Sequence, residues 1–355
     1  MKKLAILVEP AEYTLDMIEN VYRRIGADIV FVKTTSTAGP GSTGVAALGQ
    51  LGLVDLCRKL LSYIRLYDLF HVNGYTGREC AMFIVLNILF YRKPFTIDSD
   101  TELNVPRNLI KRIAKRLWLQ WIFTRRYAYG FAGGNCRHKD LFLYYGMDEE
   151  RVFLAPMVVD NSRYARMLVP PTPRRPFRFG YIGRLVQCKQ VDKIIEAFKL
   201  LLNAGVDAEL VIVGDGPEKP RLKEIAEALP IGFTGRIFGK EKIAKLHDMD
   251  ALILYSSYES WGLVVNEALS AGIPVIVSNK VGSASDLVMA TPQCGLVAKW
   301  NSTTDLSEKM RMVCCDVELW QKLSRGALKR MEKWNYGLYI DNYMRFLEQV
   351  KNKEG

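Results

Sequence analysis

Glu259 and Glu267 stand eight residues apart in YSSYESWGLVVNEALSAGIPVI, residues 255–276, with Trp261 and Gly262 between them. The apolar run 251–255 reads as a strand and 263–271 as a helix, so Gly262 falls at a strand-to-helix turn. A helix beginning there leaves the amides of Gly262, Leu263, Val264 and about Val265 without intrahelical acceptors, and such an N-terminus is a ready anion site. Glu259 then lies in the loop facing the anion, and Glu267, a turn or more into the helix, reaches a neighbouring hydroxyl pair. Two carboxylates around an anion site suit a ligand that carries both phosphates and hydroxyls, which describes a nucleotide sugar.

A second group lies upstream. Tyr181-Ile182-Gly183-Arg184 ends an apolar strand, and Lys189 follows five residues after Arg184. Gly183 admits close backbone approach, while Arg184 and Lys189 place two cations at the carboxyl end of that strand, where open α/β sheets bind their ligands. Val213-Gly214-Asp215-Gly216-Pro217 is a further strand-end glycine turn. Lys219 stands where the third glycine of a GxGxxG fingerprint belongs, which disfavours a dinucleotide oxidoreductase.

These residues need a scaffold. The 355 residues exceed what one core usually supports, and with 49% apolar and 25% charged side chains the chain is neither disordered nor collagen-like. Short apolar runs at 4–8, 28–33, 69–73, 95–97, 129–132 and 152–155 alternate with helical stretches at 15–25, 53–66, 80–91 and 137–145, and 34–52 reads as a Gly/Ser/Thr-rich loop. After Pro170, Pro171, Pro173 and Pro176 a second alternation begins. It has strands at 179–182, 209–213, 231–234, 251–255 and 274–277 and helices at 191–204, 220–229, 240–248 and 263–271, with helical residues at 319–333 and a final helix at 336–350. Strand–helix alternation predicts parallel sheets with helices on both faces. The expected fold class is α/β, two Rossmann-like domains in series: 1–168, a linker at 169–176, and 177–336, with a C-terminal helix at 337–355 returning to the first domain.

YIGRLVQCK, ELVIVGDGP, GFTG and YESWGLVVNEALSAGIPVI, in that order, resemble the C-terminal domain of glycosyltransferase family 4 over 179–297, and GMDEERVFLAPMVVD resembles that family's exit from its first domain. The resemblance implies the GT-B architecture, two parallel-sheet Rossmann-like domains facing an inter-domain cleft, and a retaining transfer of sugar from a nucleotide-sugar donor. It implies that Arg184 and Lys189 meet the donor diphosphate, that Glu259 contacts the donor sugar, and that Glu267 binds the ribose hydroxyls. The amides of Gly262, Leu263 and Val264 then lie beside phosphate and sugar, and Arg236 and Ile237 lie beside the base. Breaking the anomeric bond concentrates charge on the departing diphosphate, so cations there act most strongly at the transition state. No metal and no cofactor are expected.

The chain departs from the family in several places. Asp98 stands where many members have a histidine beside the sugar; it reads either as a contact to a sugar hydroxyl or oxocarbenium-like centre, or as a cap on the following loop. Asp98-Ser99-Asp100 is also a DxD triplet of metal-dependent transferases of another fold, which the second-domain motifs contradict. Glu9-Pro10-Ala11-Glu12 lacks paired glycines, and Gln190 replaces a usual glycine. His71 reads more readily as structural than as a cleft residue, His138 and His247 read as surface, and Trp261 either stacks on ligand or packs under its loop.

Net charge is +11, and its excess is uneven: residues 1–175 hold 25 basic and 16 acidic side chains, residues 176–355 hold 24 and 22. RNLIKRIAKRLWLQWIFTRR, 107–126, has seven basic residues and no acid. Ile110, Ile113, Ala114, Leu117 and Trp121 share a helical face flanked by Lys111, Arg112, Lys115 and Arg116. This suits a helix in an anionic membrane interface, or equally a core-covering helix with solvated cations. No recognition motif points to nucleic acid.

The seven cysteines form no CxxC pair and read as reduced thiols. The apolar stretch 81–91 is too short for a spanning helix, which needs about twenty residues, and no secretory signal is expected. The combined expectation is a cytoplasmic transferase, peripheral on the inner face of the membrane, acting on a saccharide or glycolipid acceptor in envelope polysaccharide or lipopolysaccharide synthesis. The alternatives are a GT-B sugar-nucleotide epimerase and a non-catalytic basic membrane-binding protein.

Overall fold

The computed structural model describes residues 1–7, 12–33, 47–167 and 172–354. The chain forms two compact units, Met1–Met157 with Tyr336–Gly355, and Val158–Asn335. In the first, strands β1 (Lys3–Leu7), β2 (Ala27–Phe31), β3 (Leu69–Asn73), β4 (Phe95–Ser99), β5 (Ala128–Ala132) and β6 (Val152–Leu154) pair in parallel in the order β2-β1-β3-β4-β5-β6. The helices are α1 (Glu12–Met17), α2 (Leu53–Leu66), α3 (Arg78–Leu86), α4 (Leu109–Phe123) and α5 (His138–Tyr144), and α1 and α3 run on into π-helical turns Ile18–Tyr22 and Asn87–Tyr91. Right-handed crossovers put α1 on one face of the sheet and α2 to α5 on the other.

The second unit contains α6 (Asn161–Tyr164), β7 (Phe177–Ile182), α7 (Val191–Asn203), β8 (Ala208–Val213), α8 (Lys219–Ile225), β9 (Ile231–Gly235), α9 (Gly239–His247), β10 (Ala251–Leu254), α10 (Leu263–Ser270), β11 (Val275–Ser278), β12 (Gly295–Ala298), α11 (Thr303–Cys315) and α12 (Val317–Lys333). Its six parallel strands run β12-β11-β10-β7-β8-β9. Covered on both faces, such strands are near-continuous apolar runs: every residue of β5, β10 and β11 is buried. The last helix, α13 (Tyr336–Glu354), returns to the first unit and packs on β6 and the π-turn after α1. Phe346 is buried there with its ring 5.2 Å from Phe131 and 5.0 Å from Tyr129.

Three expectations change. The units divide between Met157 and Val158 rather than after 168, because the following segment is tied to the second unit: Asn161 Nδ2 donates to the carbonyls of Met331 (2.8 Å) and Trp334 (3.1 Å), and Arg166 donates to those of His247 and Met249, both 2.7 Å. Of the expected linker, 169–171 lie outside the described residues; beyond them Arg174 N donates to Asp250 and Arg175 to the Cys314 carbonyl, so this stretch is held along the second unit. His138 is buried, not on the surface, because the start of α5 packs inward. The turn at 9–11 and most of the loop at 34–52 fall outside the described residues.

Asn108 caps helix α4: its Oδ1 accepts from Lys111 N at 3.0 Å, a standard N-cap. It covers the sheet with Leu119, Ile122 and Phe123 near its C-terminus. The face carrying Ile110, Ile113 and Leu117 is turned outward, and Ile110 is 78% exposed.

Candidate functional site

In the second unit the groups converge on the carboxyl ends of β7 and β10, which are sheet neighbours. Lys189 ends a single tight turn, Gln187–Lys189, between β7 and α7. Its ammonium forms an ion pair with the Glu259 carboxylate, and both side chains are largely buried. Glu259 is held by its backbone: its N–H donates to Lys280 O at 3.2 Å, and its carbonyl accepts from Gly282 N at 2.9 Å. Ser257 N donates to Cys188 O at 2.8 Å, joining the Lys189 turn to the Glu259 loop.

Gly183 is fixed by packing: a Cβ there would sit 2.6 Å from the Tyr181 hydroxyl, which donates to Arg184 O at 2.9 Å. Burial and the Glu259 charge hold the Tyr181 hydroxyl well above its ordinary pKa, so it stays neutral. Arg184 is exposed beside it. Gln190 has φ 48°, the left-handed region. Glycine adopts that conformation without the Cβ penalty that Gln190 carries.

Gly262 caps α10 at φ 88°, and a Cβ would approach Leu254 Cδ2 to 2.6 Å. The turn it permits directs the N-terminus of α10, with Leu263 and Val264 half-buried, to the same end of the sheet as Lys189 and Glu259. Trp261 is fully packed, stacked on Trp334 at 5.6 Å with its Nε1 donating to Asn266 Oδ1 at 2.8 Å, so its role is to hold the loop.

Glu267 is buried in α10. Lys242 Nζ on α9 lies 2.6 Å from its Oε1, and the Tyr164 hydroxyl donates to the same oxygen at 3.2 Å. Sequence reasoning missed Lys242, since nothing local marks it; α9 brings it over α10. Arg236 and Ile237 lie in the β9–α9 loop, Arg236 exposed with its guanidinium 4.7 Å from the Phe238 ring.

Asp98 belongs to the first unit. Tyr22 Oη donates to its Oδ2 at 3.0 Å and Thr96 Oγ1 to its Oδ1 at 3.3 Å. Burial raises its carboxyl to about 7, against the opposing effect of those two hydrogen bonds. Behind Thr96, His71 is buried with Nδ1 3.0 Å from Thr96 Oγ1 and Nε2 3.1 Å from Tyr343 Oη of α13. Burial and Lys3 lower its pKa to about 3, so it is neutral and structural. With Thr96 donating to Asp98, the His71 Nδ1–H donates to Thr96 and Tyr343 donates to Nε2. Tyr339, also of α13, hydrogen-bonds to Tyr22.

Asp98 opens on a cavity of about 610 Å³ within this unit, lined among others by Tyr13, Tyr22, Tyr75, Asp100 and Tyr339. Among the described residues lining it, none is lysine or arginine. The two units thus differ in character: paired cations and carboxylates at one sheet, tyrosines and carboxyls at the other.

Comparison with known structures identifies the fold. The chain superposes on Anabaena Alr3699/HepE in complex with UDP with TM-score 0.77 and 17% identity, covering 98% of this chain and 100% of that one. The apo lipopolysaccharide outer core galactosyltransferase WaaB matches at TM-score 0.73 and 16% identity, over 98% and 99%. The fold is GT-B.

Residues 169–330, most of the second unit, match the family described as Glycosyl transferases group 1. A GDP-mannose-dependent alpha-(1-6)-phosphatidylinositol dimannoside mannosyltransferase of Mycobacterium tuberculosis is 38% identical over 111 residues, 31% of this chain and 29% of that protein. Sulfoquinovosyl transferase SQD2 of Arabidopsis thaliana is 27% identical over 166 residues, 46% and 31%. The matched segments therefore span less than a third of these relatives' length.

Proposed function

We propose that the protein is a retaining, metal-independent glycosyltransferase of the family 4 type, moving a sugar from a nucleotide-sugar donor to a hydroxyl of an envelope saccharide or glycolipid. The observation that carries this reading is the Lys189–Glu259 ion pair at the strand ends where Gly262 turns the chain into α10. Lys189, Arg184 and the α10 N-terminus supply positive potential for the donor diphosphate without a metal. Glu259 orients the sugar. Glu267, fixed by Lys242 and Tyr164, accepts from ribose hydroxyls, and the backbone at Arg236 and Ile237 lies against the base.

In the reaction the anomeric carbon–phosphate oxygen bond breaks, the acceptor oxygen bonds to that carbon on the same face, and the departing diphosphate takes the acceptor proton. Asp98, when ionised, accepts a hydrogen bond from a sugar hydroxyl. The absence of lysine and arginine among the described lining residues of its cavity supports an uncharged, hydroxyl-rich sugar there. The relatives that act on phosphatidylinositol dimannoside and lipopolysaccharide, by their names, support an envelope acceptor. The outward aliphatic face of α4 beside Lys111, Arg112 and Arg116 supports peripheral binding to an anionic membrane; among the described residues no helix is long and apolar enough to cross one.

The test is product analysis with a panel of nucleotide sugars and saccharide or glycolipid acceptors, in EDTA. The expected result is acceptor glycosylation with the donor's anomeric configuration retained. Epimerised donor with no acceptor consumed overturns the proposal.

A further inference from the structure

Helices α2 and α3 lie side by side on one face of the first sheet and leave a groove of about 580 Å³ between them. Its walls are Leu53, Val54 and Cys57 of α2 and Met82, Val85 and Leu86 of α3. Leu53 and Val54 are 64% and 61% exposed, although neither contributes to the core. Spacings i, i+1, i+4 on α2 and i, i+3, i+4 on α3 make these continuous stripes. The α3 stripe runs on into Leu89 and Phe90, the latter 68% exposed. Beyond α3, α4 presents Leu109, Ile110, Ile113 and Leu117 outward on the same side of the sheet. An exposed aliphatic surface of this kind marks an interaction site.

The charges around it select the partner. Arg58 lines the groove, and Lys59, Arg65, Arg92, Lys111, Arg112 and Arg116 are exposed around the stripes. Among the described residues of α2, α3 and α4, Asp55 is the one exposed carboxylate, and it sits 3.4 Å from Arg58. Aliphatic side chains set among cations complement a surface that is apolar inside and anionic outside, which is a bilayer of anionic lipid.

We infer that the groove between α2 and α3 takes an acyl chain of an anionic bilayer lipid, with Arg58 at the headgroup. This rests on the membrane reading above and extends it from one helix to a three-helix face with a lipid site.

Cys57 in the groove wall reports on it directly. The full chain is treated with a charged maleimide, alone and with vesicles of phosphatidylglycerol or phosphatidylcholine. Modification of each cysteine is followed by peptide mass spectrometry and binding by flotation, with exposed Cys188 and Cys315 of the second unit as references. Phosphatidylglycerol vesicles are expected to float the protein and slow Cys57 modification at least fivefold, leaving Cys188 and Cys315 unchanged. The double variant Leu53→Gln/Val54→Gln, altered at exposed positions only, should lose that protection. Flotation with unchanged Cys57 reactivity overturns the groove inference but leaves the membrane reading standing. No flotation overturns both. Protection of Cys57 without lipid, appearing with dimer in sedimentation, shows a second copy as occupant and overturns the inference.

Discussion

Lys189 and Glu259, seventy residues apart in the chain, form an ion pair at the ends of adjacent strands. The pair gives each partner a second task. Glu259 holds the flexible lysine in a single place, and the lysine offsets the carboxylate's charge beside the positive end of α10, the proposed place of the donor phosphates. Loss of either charge therefore disturbs both.

In the proposed reaction, Lys189→Ala removes one cation from the departing diphosphate and leaves Glu259 to repel it. Removal of one preorganised charge-stabilising donor typically lowers kcat by about a hundred- to a thousandfold. Glu259→Gln should give a loss of the same order. The double variant should be much less than multiplicative, because the two side chains act as a unit. Steady-state kinetics on the four proteins, with circular dichroism to confirm folding, checks this; multiplicative losses refute the coupling.

Gly262→Ala forces a Cβ to within 2.6 Å of Leu254 Cδ2 at φ 88°. The left-handed conformation alone costs about 1–2 kcal/mol. A fall in Tm of several degrees is expected, with donor affinity reduced because the N-terminus of α10 is displaced. Thermal melts and donor titration measure the two effects, and an unchanged Tm shows that the turn tolerates a side chain.

Asp98 gives a pH signature. Its folded carboxyl, raised to about 7 from 3.8, binds its proton over a range in which the unfolded chain has lost it. Its contribution to stability is thus most favourable at low pH and is progressively lost as pH rises from about 4 to 7. Asp98→Asn removes this dependence, so the Tm advantage of the variant over the parent should grow with pH to about 7 and then level. In the proposed role the ionised form accepts the sugar hydroxyl, so kcat/KM of the parent should rise through the same region, and the variant should lose that limb. A variant with the parent's pH profile rules out Asp98 as its source.

Tyr343→Phe leaves buried His71 Nε2 without the donor now 3.1 Å away. An unsatisfied buried polar atom costs about 1–3 kcal/mol, so α13 should detach more readily from the first sheet. Hydrogen exchange of α13 and of β3 reads this, and unaltered protection of both shows that the hydrogen bond contributes nothing.

Much of the scaffold, and the strand-to-helix turn of the candidate site, were legible in the chain. Apolar runs separated by helical stretches located α2 and β3 to the residue, since a parallel sheet covered on both faces demands continuous apolar strands. Missed were β12, four residues with little pattern, and α11, although Ser302 and Asp305 stand at capping spacing and Ser302 Oγ accepts from Asp305 N at 3.2 Å. Glu259, Gly262 and Glu267 were readable because a strand-to-helix turn holds them within one short segment.

What tertiary structure decided was pairing across distance. No local pattern joins Lys242 to Glu267, or Tyr343 and Tyr339 to the surroundings of Asp98, because those contacts arise from helices packed side by side and from a last helix folded back onto the first sheet. The amphipathic stripe of α4 was visible as a period, but its direction was not. Periodicity says that two faces differ, and only packing against the sheet decides that Leu119, Ile122 and Phe123 turn inward while Ile110 and Leu117 face out.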